Sequence, residues 1–464
     1  MMREIANPVW DRDLIQKYDL SGPRYTSYPT ALQFSEQFDS SILTDSAPGE
    51  EHGSKSLSLY IHIPFCAHLC YYCGCNKIVT RKEGVASDYL SKLFREIDQQ
   101  AKIVGRNSIV EQLHLGGGTP TFLSEDEIHD LMAELRARFS FLRRDLGDFS
   151  IEIDPRECTP LKLHLLRYEG YNRLSLGVQD FDPGVQKAVN RLQPVELVEN
   201  LVKTARNMEF ESINLDLIYG LPLQTPESFQ RTIQRVIDLD PDRLSIFNYA
   251  HIPERFMSQR RIRGEDLPSP AEKLNMLKLT IEQLTRAGYV YIGMDHFAKP
   301  TDPLAKAQQS GNLHRNFQGY TTHKHCDLIA MGVSSISQVG DCIYQNHVDL
   351  QDYIAAIDNC DSTVAKGLKL NRDDRIRRDV IMQLICHFYL DKARVEAEHK
   401  IVFHDYFDAE IKQLKQLEKD GLLVDSPSSI LVTPQGRLLV RAICMVFDAY
   451  LDDPSTKQRF SRVI

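Results

Sequence analysis

A repeated change of hydrophobic period between residues 57 and 253 limits the fold more than anything else in this chain. Short β-prone runs occur at LSLYIHIP (57–64), QLHLGG (112–117), FSIEIDP (149–155), NRLSLGVQ (172–179), SINLDLIYG (212–220) and RLSIFNYAHIP (243–253). Between them lie Ala86–Val104, Ser124–Phe139, Pro160–Glu169, Pro194–Met208 and Pro226–Leu239, with apolar residues near i, i+3 and i+4. That spacing makes one apolar stripe along a helix. Ser124 stands three residues before Glu127, and Thr225 precedes Pro226. Both are helix-start patterns that satisfy the free N–H groups of a first turn. Strands separated by helix-length crossovers run parallel, with right-handed connections. A further helix, Pro270–Ala287, leads to another β-prone run at 289–298, placed to extend the sheet.

Six such units are too few to close an eight-fold barrel. Periodicity alone does not separate an open barrel from a flat doubly wound sheet, but the polar residues do. The runs end in or near Cys66, the Gly116–Gly118 turn, Glu152 and Asp154, Gln179, Asp216, and Asn248 with Tyr249. Barrels collect site residues at the C-terminal ends of their strands. The expected fold is therefore α/β, a partial (β/α)6 TIM-like barrel.

Three segments are expected. Residues 1–50 read as an N-terminal arm and linker. Ser21–Phe34 mixes Pro, Gly, Ser and aromatics without a period, and Ser46–Lys55 is a linker by composition. Residues 51–368 are expected to form one domain that carries the βα units and the polar strand ends. Residues 369–464 form a small, mostly helical domain. Its helices are expected at Asp373–Leu390, Ala393–Ala397 and Asp405–Asp420, followed by a strand, a Thr-Pro turn and a long helix.

Hydrophobic residues make up 42% and charged residues 26% of the 464, an ordinary globular balance. The net charge of −9 argues against a broad nucleic-acid surface. The chain has no apolar run of the roughly 18 residues that a membrane span needs. The acid-studded N-terminus lacks the apolar core of a secretory signal, so a cytoplasmic location is expected. There, clustered cysteines point to metal or redox chemistry rather than disulfides.

Four of the ten cysteines fall within ten residues: Cys66, Cys70, Cys73 and Cys75, spaced C-x3-C-x2-C-x-C. Ferredoxin-type runs and zinc ribbons use other spacings. Three thiolates would leave one iron of a [4Fe–4S] cluster open to an external chelate. Cys75 has three readings: a fourth ligand, a non-ligating thiol beside the site, or packing. The scattered cysteines, Cys158, Cys326, Cys342, Cys360, Cys386 and Cys444, read as small buried hydrophobes.

C-x3-C-x2-C just after the first strand of a βα array resembles the signature of the radical S-adenosylmethionine superfamily, and Gly116–Gly118 resembles its glycine-rich turn. The match extends along the chain. PRYTSYPT, YIHIPFC, CGCNKIVTR, GGGTPT, IEIDPRE, RLSLGVQDF, DLIYGLP, FNYAHIP, GMDHFA, HRNFQGYTT and the tail Gln458–Ile464 resemble the oxygen-independent coproporphyrinogen III oxidases. The resemblance implies a partial barrel of the radical S-adenosylmethionine type. It also implies a [4Fe–4S] cluster on Cys66, Cys70 and Cys73, with Cys75 a non-ligating residue of the catalytic site. Two S-adenosylmethionine molecules are implied: the first at Tyr60, Gly117, Glu152 and Ile336, the second at Tyr72, Gly118, Thr119, Gln179, Arg191, Asp216 and Ala250. The implied reaction converts two propionates of coproporphyrinogen III to vinyl groups through a 5′-deoxyadenosyl radical. It requires an electron donor and an acceptor of unspecified identity, and a monomer is expected.

Other residues carry weaker expectations. His62 reads as a supporting residue rather than an iron ligand. His251, His296 and His314 are candidates for a substrate pocket. Arg24, Tyr25 and Tyr28 of the arm read as a lid or as packing, and Arg315 and Asn316 are similar candidates. Two other functions on the same scaffold remain: a haem-binding chaperone, and a methyltransferase or ring-opening enzyme acting on haem. The PRYTSYPT arm and the C-x-C extension favour the oxidase.

Overall fold

A computed structural model describes residues 6–45, 56–105, 107–143 and 146–451. The linker Ser46–Lys55 and the tail Gln458–Ile464 lie outside the described residues. The chain divides into two compact units, one of residues 34–269 with 325–369, the other of residues 1–33, 270–324 and 370–464.

In the first unit the six expected parallel strands are present. They are β1 (Ser56–Ile63), β2 (Ile109–Gly117), β3 (Asp148–Ile153), β4 (Arg173–Gln179), β5 (Ser212–Tyr219) and β6 (Arg243–Asn248). They lie side by side in sequence order and pair in parallel. The helices between them are α1 (Val85–Val104), α2 (Glu125–Arg138), α3 (Pro160–Tyr168), α4 (Val195–Asn207) and α5 (Pro226–Asp238). This is the partial (β/α)6 barrel expected from the sequence. Ser124 and Thr225 cap α2 and α5 as capping boxes with Glu127 and Ser228. α2 buries Ile128, Leu131, Met132 and Leu135, its i, i+3, i+4, i+7 stripe.

Alternation along the strands separates structure from chemistry. β3 buries Phe149, Ile151 and Ile153, and β4 buries Leu174, Leu176 and Val178. The opposite face carries Ser150 and Glu152, then Ser175, Gly177 and Gln179, then Asn214 and Asp216 of β5.

Four strands that extend the sheet beyond β1 were not anticipated. β7 (Asp327–Met331) pairs in parallel with the free edge of β1, and β8 (Ile336–Val339), β9 (Cys342–Asn346) and β10 (Val364–Lys369) follow antiparallel. Their sequence, with Gly332, Gly340 and Gly367 among short mixed runs, has no long period to read.

In the second unit the run 289–298 is not one strand. It forms an antiparallel hairpin, Val290–Gly293 with His296–Ala298, turning at Met294 (φ 52°). Helices form at Arg372–His387, Lys392–His399, Phe403–Tyr406 and Asp408–Lys419. The expected short β-pair is a three-stranded sheet of Tyr389–Asp391, Ser429–Val432 and Leu423–Asp425. The expected long final helix is a 3-10 turn, Arg437–Leu439, followed by only seven residues, Val440–Val446. The arm tyrosines are packed inside this unit. Tyr25 donates to Asp448 at 3.0 Å, and the Tyr28 hydroxyl accepts from the Ala449 N–H at 3.1 Å. Arg24 pairs with Asp295. Arg315 and Asn316 are buried, with Arg315 stacked 4.7 Å from the Tyr320 ring centre. His296 packs edge-on against Tyr320, and burial lowers His314 to about 4.

Candidate active site

β1 ends at Ile63 and the cysteine segment begins at once. Phe65–Cys66 pairs with Ile78–Val79, closing the intervening residues into a loop. The Ile78 N–H donates to Pro64 O at 2.7 Å, and the Thr80 N–H to Cys66 O at 3.0 Å. Cys66 and Cys70 are buried, Cys73 is half-buried and Cys75 is exposed.

Two of the three glycines at the end of β2 are explained by what a side chain there would strike. A Cβ at Gly118 would lie 2.7 Å from Pro64 O, and one at Gly117 (φ 117°) would lie 2.8 Å from the His62 ring. The end of β2 can therefore press against the end of β1 only as bare backbone. The Gly118 N–H donates to Ile63 O at 2.8 Å and the Thr119 N–H to Phe65 O at 2.9 Å. Thr119 Oγ1 then reaches Cys66 Sγ at 3.4 Å.

Tyr60, Gly117 and Glu152 meet at one place. The Gly117 N–H donates to Glu152 Oε2 at 3.2 Å. His114 Nε2 lies 3.3 Å from Glu152 Oε1, and the Tyr60 ring stacks on His114 with centroids 5.8 Å apart. The Tyr60 hydroxyl contacts His62 Nδ1 at 3.1 Å, and His62 Nε2 lies 3.2 Å from Asn76 O in the cysteine loop. Burial lowers the His62 pKa, so a neutral ring joins Tyr60 to the loop. Ile336 stands further along the sheet. Its neighbour Ser337 accepts from the Ala330 N–H at 2.9 Å, and Ala330 is the register partner of Tyr60.

Gln179, Arg191 and Asp216 gather around Gly177. Arg191 Nη2 donates to Gly177 O, and a Cβ at Gly177 would lie 2.9 Å from both Arg191 Nη2 and Gln179 Nε2. Gln179 has a left-handed backbone, φ 68°. Asp216 faces Gly177 across the β4–β5 register and accepts from Ser175 Oγ and Asn214 Nδ2, each at 2.8 Å. Tyr72 and Ala250 are joined by Gln259, whose Nε2 donates to their carbonyls at 2.9 and 3.2 Å. Tyr72 also packs on Val185, Val189, Leu221, Tyr249 and Ile262. His251 makes a 3.0 Å contact with the Tyr249 hydroxyl.

Arg156 and Gln259 were not singled out from the sequence, and Asp154 was noted only as a strand-end acid. Arg191 Nη1 lies 3.0 Å and Arg156 Nη2 2.6 Å from Asp154 Oδ2, and the same two nitrogens reach Cys70 Sγ at 3.4 and 3.3 Å. Burial opposes charge on Asp154, but Arg191 and Arg156 overcome it and hold the carboxyl at about 2. Burial pushes the Cys66 thiol up to about 11. The nearest available signal for Arg156 was its place in IDPRE, directly after a strand-end acid.

These thiols suit a cluster better than a single ion. None is in a disulfide. A lone zinc would draw its ligand atoms within about 4 Å of one another. Among the described residues, the cysteine loop contributes no set of three ligand atoms within 4.8 Å. A cubane instead places each sulfur on a separate iron. The Thr119, Arg156 and Arg191 donors aimed at sulfur are the type of contact that stabilises cluster thiolates.

Comparison with known proteins agrees with this geometry. Residues 60–236 match the model of the radical SAM superfamily, and residues 370–439 match that of the HemN C-terminal domain. The fold and site are thus those of a radical S-adenosylmethionine protein. The oxygen-independent coproporphyrinogen III oxidase of Pseudomonas aeruginosa is 56% identical, over 98% of this chain and 99% of its own length. The corresponding protein of Escherichia coli is 53% identical over 98% of each chain. A solved structure described as coproporphyrinogen III oxidase (HemN) from Escherichia coli, a radical SAM enzyme, superposes with a TM-score of 0.92 at 51% identity, covering 96% of this chain and 100% of that one. The chain belongs to the family of oxygen-independent coproporphyrinogen III oxidases. It is an enzyme whose cofactors are a [4Fe–4S] cluster and S-adenosylmethionine. No helix among the described residues is long and apolar enough to cross a membrane.

Proposed function

We propose that this enzyme decarboxylates two propionates of coproporphyrinogen III to vinyl groups without molecular oxygen, giving protoporphyrinogen IX in haem biosynthesis. The carrying observation is the three-thiol loop at the end of β1, set against Gly117 and Glu152, in a chain that matches this family over 98% of its length. Cys66, Cys70 and Cys73 hold the cluster. Cys75 is a non-ligating thiol of the catalytic site. When bound, S-adenosylmethionine supplies a 5′-deoxyadenosyl radical, the step that the cofactor rather than the protein makes possible.

The chain's own residues bind and orient. Tyr60, Gly117, Glu152 and Ile336 hold a first S-adenosylmethionine. Tyr72, Gly118, Thr119, Gln179, Arg191, Asp216 and Ala250 hold a second. The Glu152 and Asp216 carboxylates suit hydroxyl or ammonium donors, and the Arg191 fork suits a carboxylate. Each propionate gives up a hydrogen atom, carbon dioxide and one electron, so no strong general base is needed. The electron comes from and returns to external carriers. The enzyme works as a cytoplasmic monomer, with residues 51–368 as the catalytic domain, 1–50 an arm and linker, and 369–464 an appended helical domain.

The test is anaerobic turnover of coproporphyrinogen III by the cluster-reconstituted enzyme. Carbon dioxide and 5′-deoxyadenosine should appear in about a 1:1 ratio with the vinyl product. Tight haem binding without any vinyl product would overturn the assignment in favour of a haem carrier.

A further inference from the structure

β2 interrupts its pairing at one residue. Leu57 of β1 faces Val110 and Ser58 faces Gln112, so Glu111 is inserted between them as a β-bulge. A bulge re-aims the inserted side chain. Here the carboxylate meets the residues that lead into β7, the strand on the other side of β1. His325 Nε2 lies 2.7 Å from Glu111 Oε2, and Cys326 Sγ lies 3.9 Å from the same oxygen. Ser56 at the start of β1 donates to Glu111 Oε1 and steadies it. The three donor atoms lie within 4.8 Å of one another. His325 is 58% exposed, so the group opens to solvent. The sequence, His-Lys-His-Cys, puts a further imidazole at His323.

An imidazole paired with a carboxylate is an ordinary surface contact. The thiol in the same group is what distinguishes it. One nitrogen, one sulfur and one oxygen make a ligand set of the kind zinc accepts, with a fourth position left for water or another side chain. The geometry points to a zinc(II) site formed by Glu111, His325 and Cys326 at the N-terminal ends of β2 and β7. This is the opposite strand end from the cysteine loop.

On binding, a sulfur–zinc bond replaces the Cys326 S–H bond and the proton leaves to solvent. Imidazole binds neutral, and carboxylate plus thiolate balance the dication. Because the thiol gives up its proton to bind, affinity rises with pH. The N-terminal end of a barrel sheet is where stability rather than catalysis is decided. The ion acts there as a clip joining β2 to β7 across β1.

The experiment uses the cluster-reconstituted enzyme under nitrogen, with zinc chloride as the only probe, dialysed against a weak chelator. Iron and zinc are both counted by mass spectrometry, because the cluster cysteines also bind zinc. About one zinc per chain should remain at full iron content, and it should raise the thermal midpoint. C326S and H325A should bind zinc at least ~10-fold more weakly, with iron content and turnover unchanged. Zinc X-ray absorption of the unsubstituted enzyme should show one sulfur ligand, a readout independent of whether the variants fold. No retained zinc, zinc displacing iron, retention undiminished in C326S and H325A, or a sulfur-free zinc environment each overturns the assignment.

Discussion

Glu96 on α1 offers the sharpest test of how the barrel holds its site. The residue is 1% exposed. Its Oε2 accepts from the Gly332 N–H at 2.7 Å and the Tyr353 hydroxyl at 2.6 Å, and its Oε1 from Asn346 Nδ2 at 2.6 Å and Thr363 Oγ1 at 3.1 Å. One carboxylate thus ties α1 to the turn between β7 and β8, to β9, and to the residue that leads into β10. Replacement by Ala takes away the acceptor that four donors share. Asn346 keeps its bond to Gly332 O at 2.9 Å, and the two hydroxyls can turn, but the Gly332 N–H cannot. A hydrogen bond to a charged group contributes ~1.5–3 kcal/mol and a donor left without any acceptor costs ~1–3 kcal/mol, so E96A should cost ~3–5 kcal/mol in all. In E96Q the amide oxygen can face Gly332 and Tyr353, leaving the NH2 group against Thr363, which can accept, and Asn346 Nδ2, which cannot. That single mismatch costs ~1–2 kcal/mol.

The pH dependence carries a definite sign. Burial raises the Glu96 pKa, and its four hydrogen bonds only partly offset this. The native state therefore holds the proton more tightly than the unfolded chain. This contribution to stability is complete below the unfolded pKa and is lost as pH rises through the folded value. Glutamine does not titrate, so the gap between E96Q and the unsubstituted enzyme should narrow as pH rises through the acid range. Thermal midpoints followed by circular dichroism, at about 2 °C per kcal/mol for a unit of this size, should fall by ~6–10 °C for E96A and ~2–4 °C for E96Q. An E96A midpoint within ~1 °C of the unsubstituted protein would refute the hydrogen-bond accounting. A gap that widens with pH would refute the sign.

Two further outcomes follow from the site itself. Asp154, 9% exposed and held at about 2, contributes ~2.5 kcal/mol that is present above the ordinary carboxylate range and lost as pH falls toward 2. D154N should lose that at neutral pH and show a flatter acid limb in pH-dependent unfolding; an unchanged acid limb would sink the assignment. G117A places a Cβ 2.8 Å from the His62 ring at φ 117°, a strain of ~1–3 kcal/mol. It should weaken S-adenosylmethionine binding by ~5–100-fold in a direct titration while iron content stays normal; wild-type binding at full iron content would count against the role of this backbone.

The barrel was legible because its strands and helices have different periods, and each is long enough to register. Leu174, Leu176 and Val178 are apolar at every second place, and Ile128, Leu131, Met132 and Leu135 follow a helix. The cysteine loop was legible because spacing alone distinguishes it from other thiol frameworks. The return strands β7 to β10 were missed because they run only four to six residues each, too few for a period to stand clear. Gln259 was missed for a different reason. It lies in the 3-10 segment Met257–Arg261, and its importance comes from three backbone groups it reaches, at Tyr72, Ala250 and Ile252. Nothing in the local residue types announces that reach. Cys326 read as one more scattered thiol, and the bulge at Glu111 sets a carboxylate 3.9 Å from it.

The net charge of −9 likewise conceals the field at the site. Cys70 has two guanidinium donors, at 3.3 and 3.4 Å, whereas the donor to Cys66 among the described residues is the neutral Thr119 hydroxyl. Lys77 adds a third cation, donating to the Cys73 carbonyl at 3.0 Å. Hydrogen bonds and positive charge beside thiolate sulfur raise the reduction potential of an iron–sulfur centre. Asp154 is the acid that both arginines share, and it stays ionised far below neutrality. Arginine does not lose its proton in this range. The two arginines and Asp154 therefore keep one net positive charge beside Cys70 at any pH at which the enzyme works. Any pH dependence of turnover near neutrality must then arise from groups other than this trio.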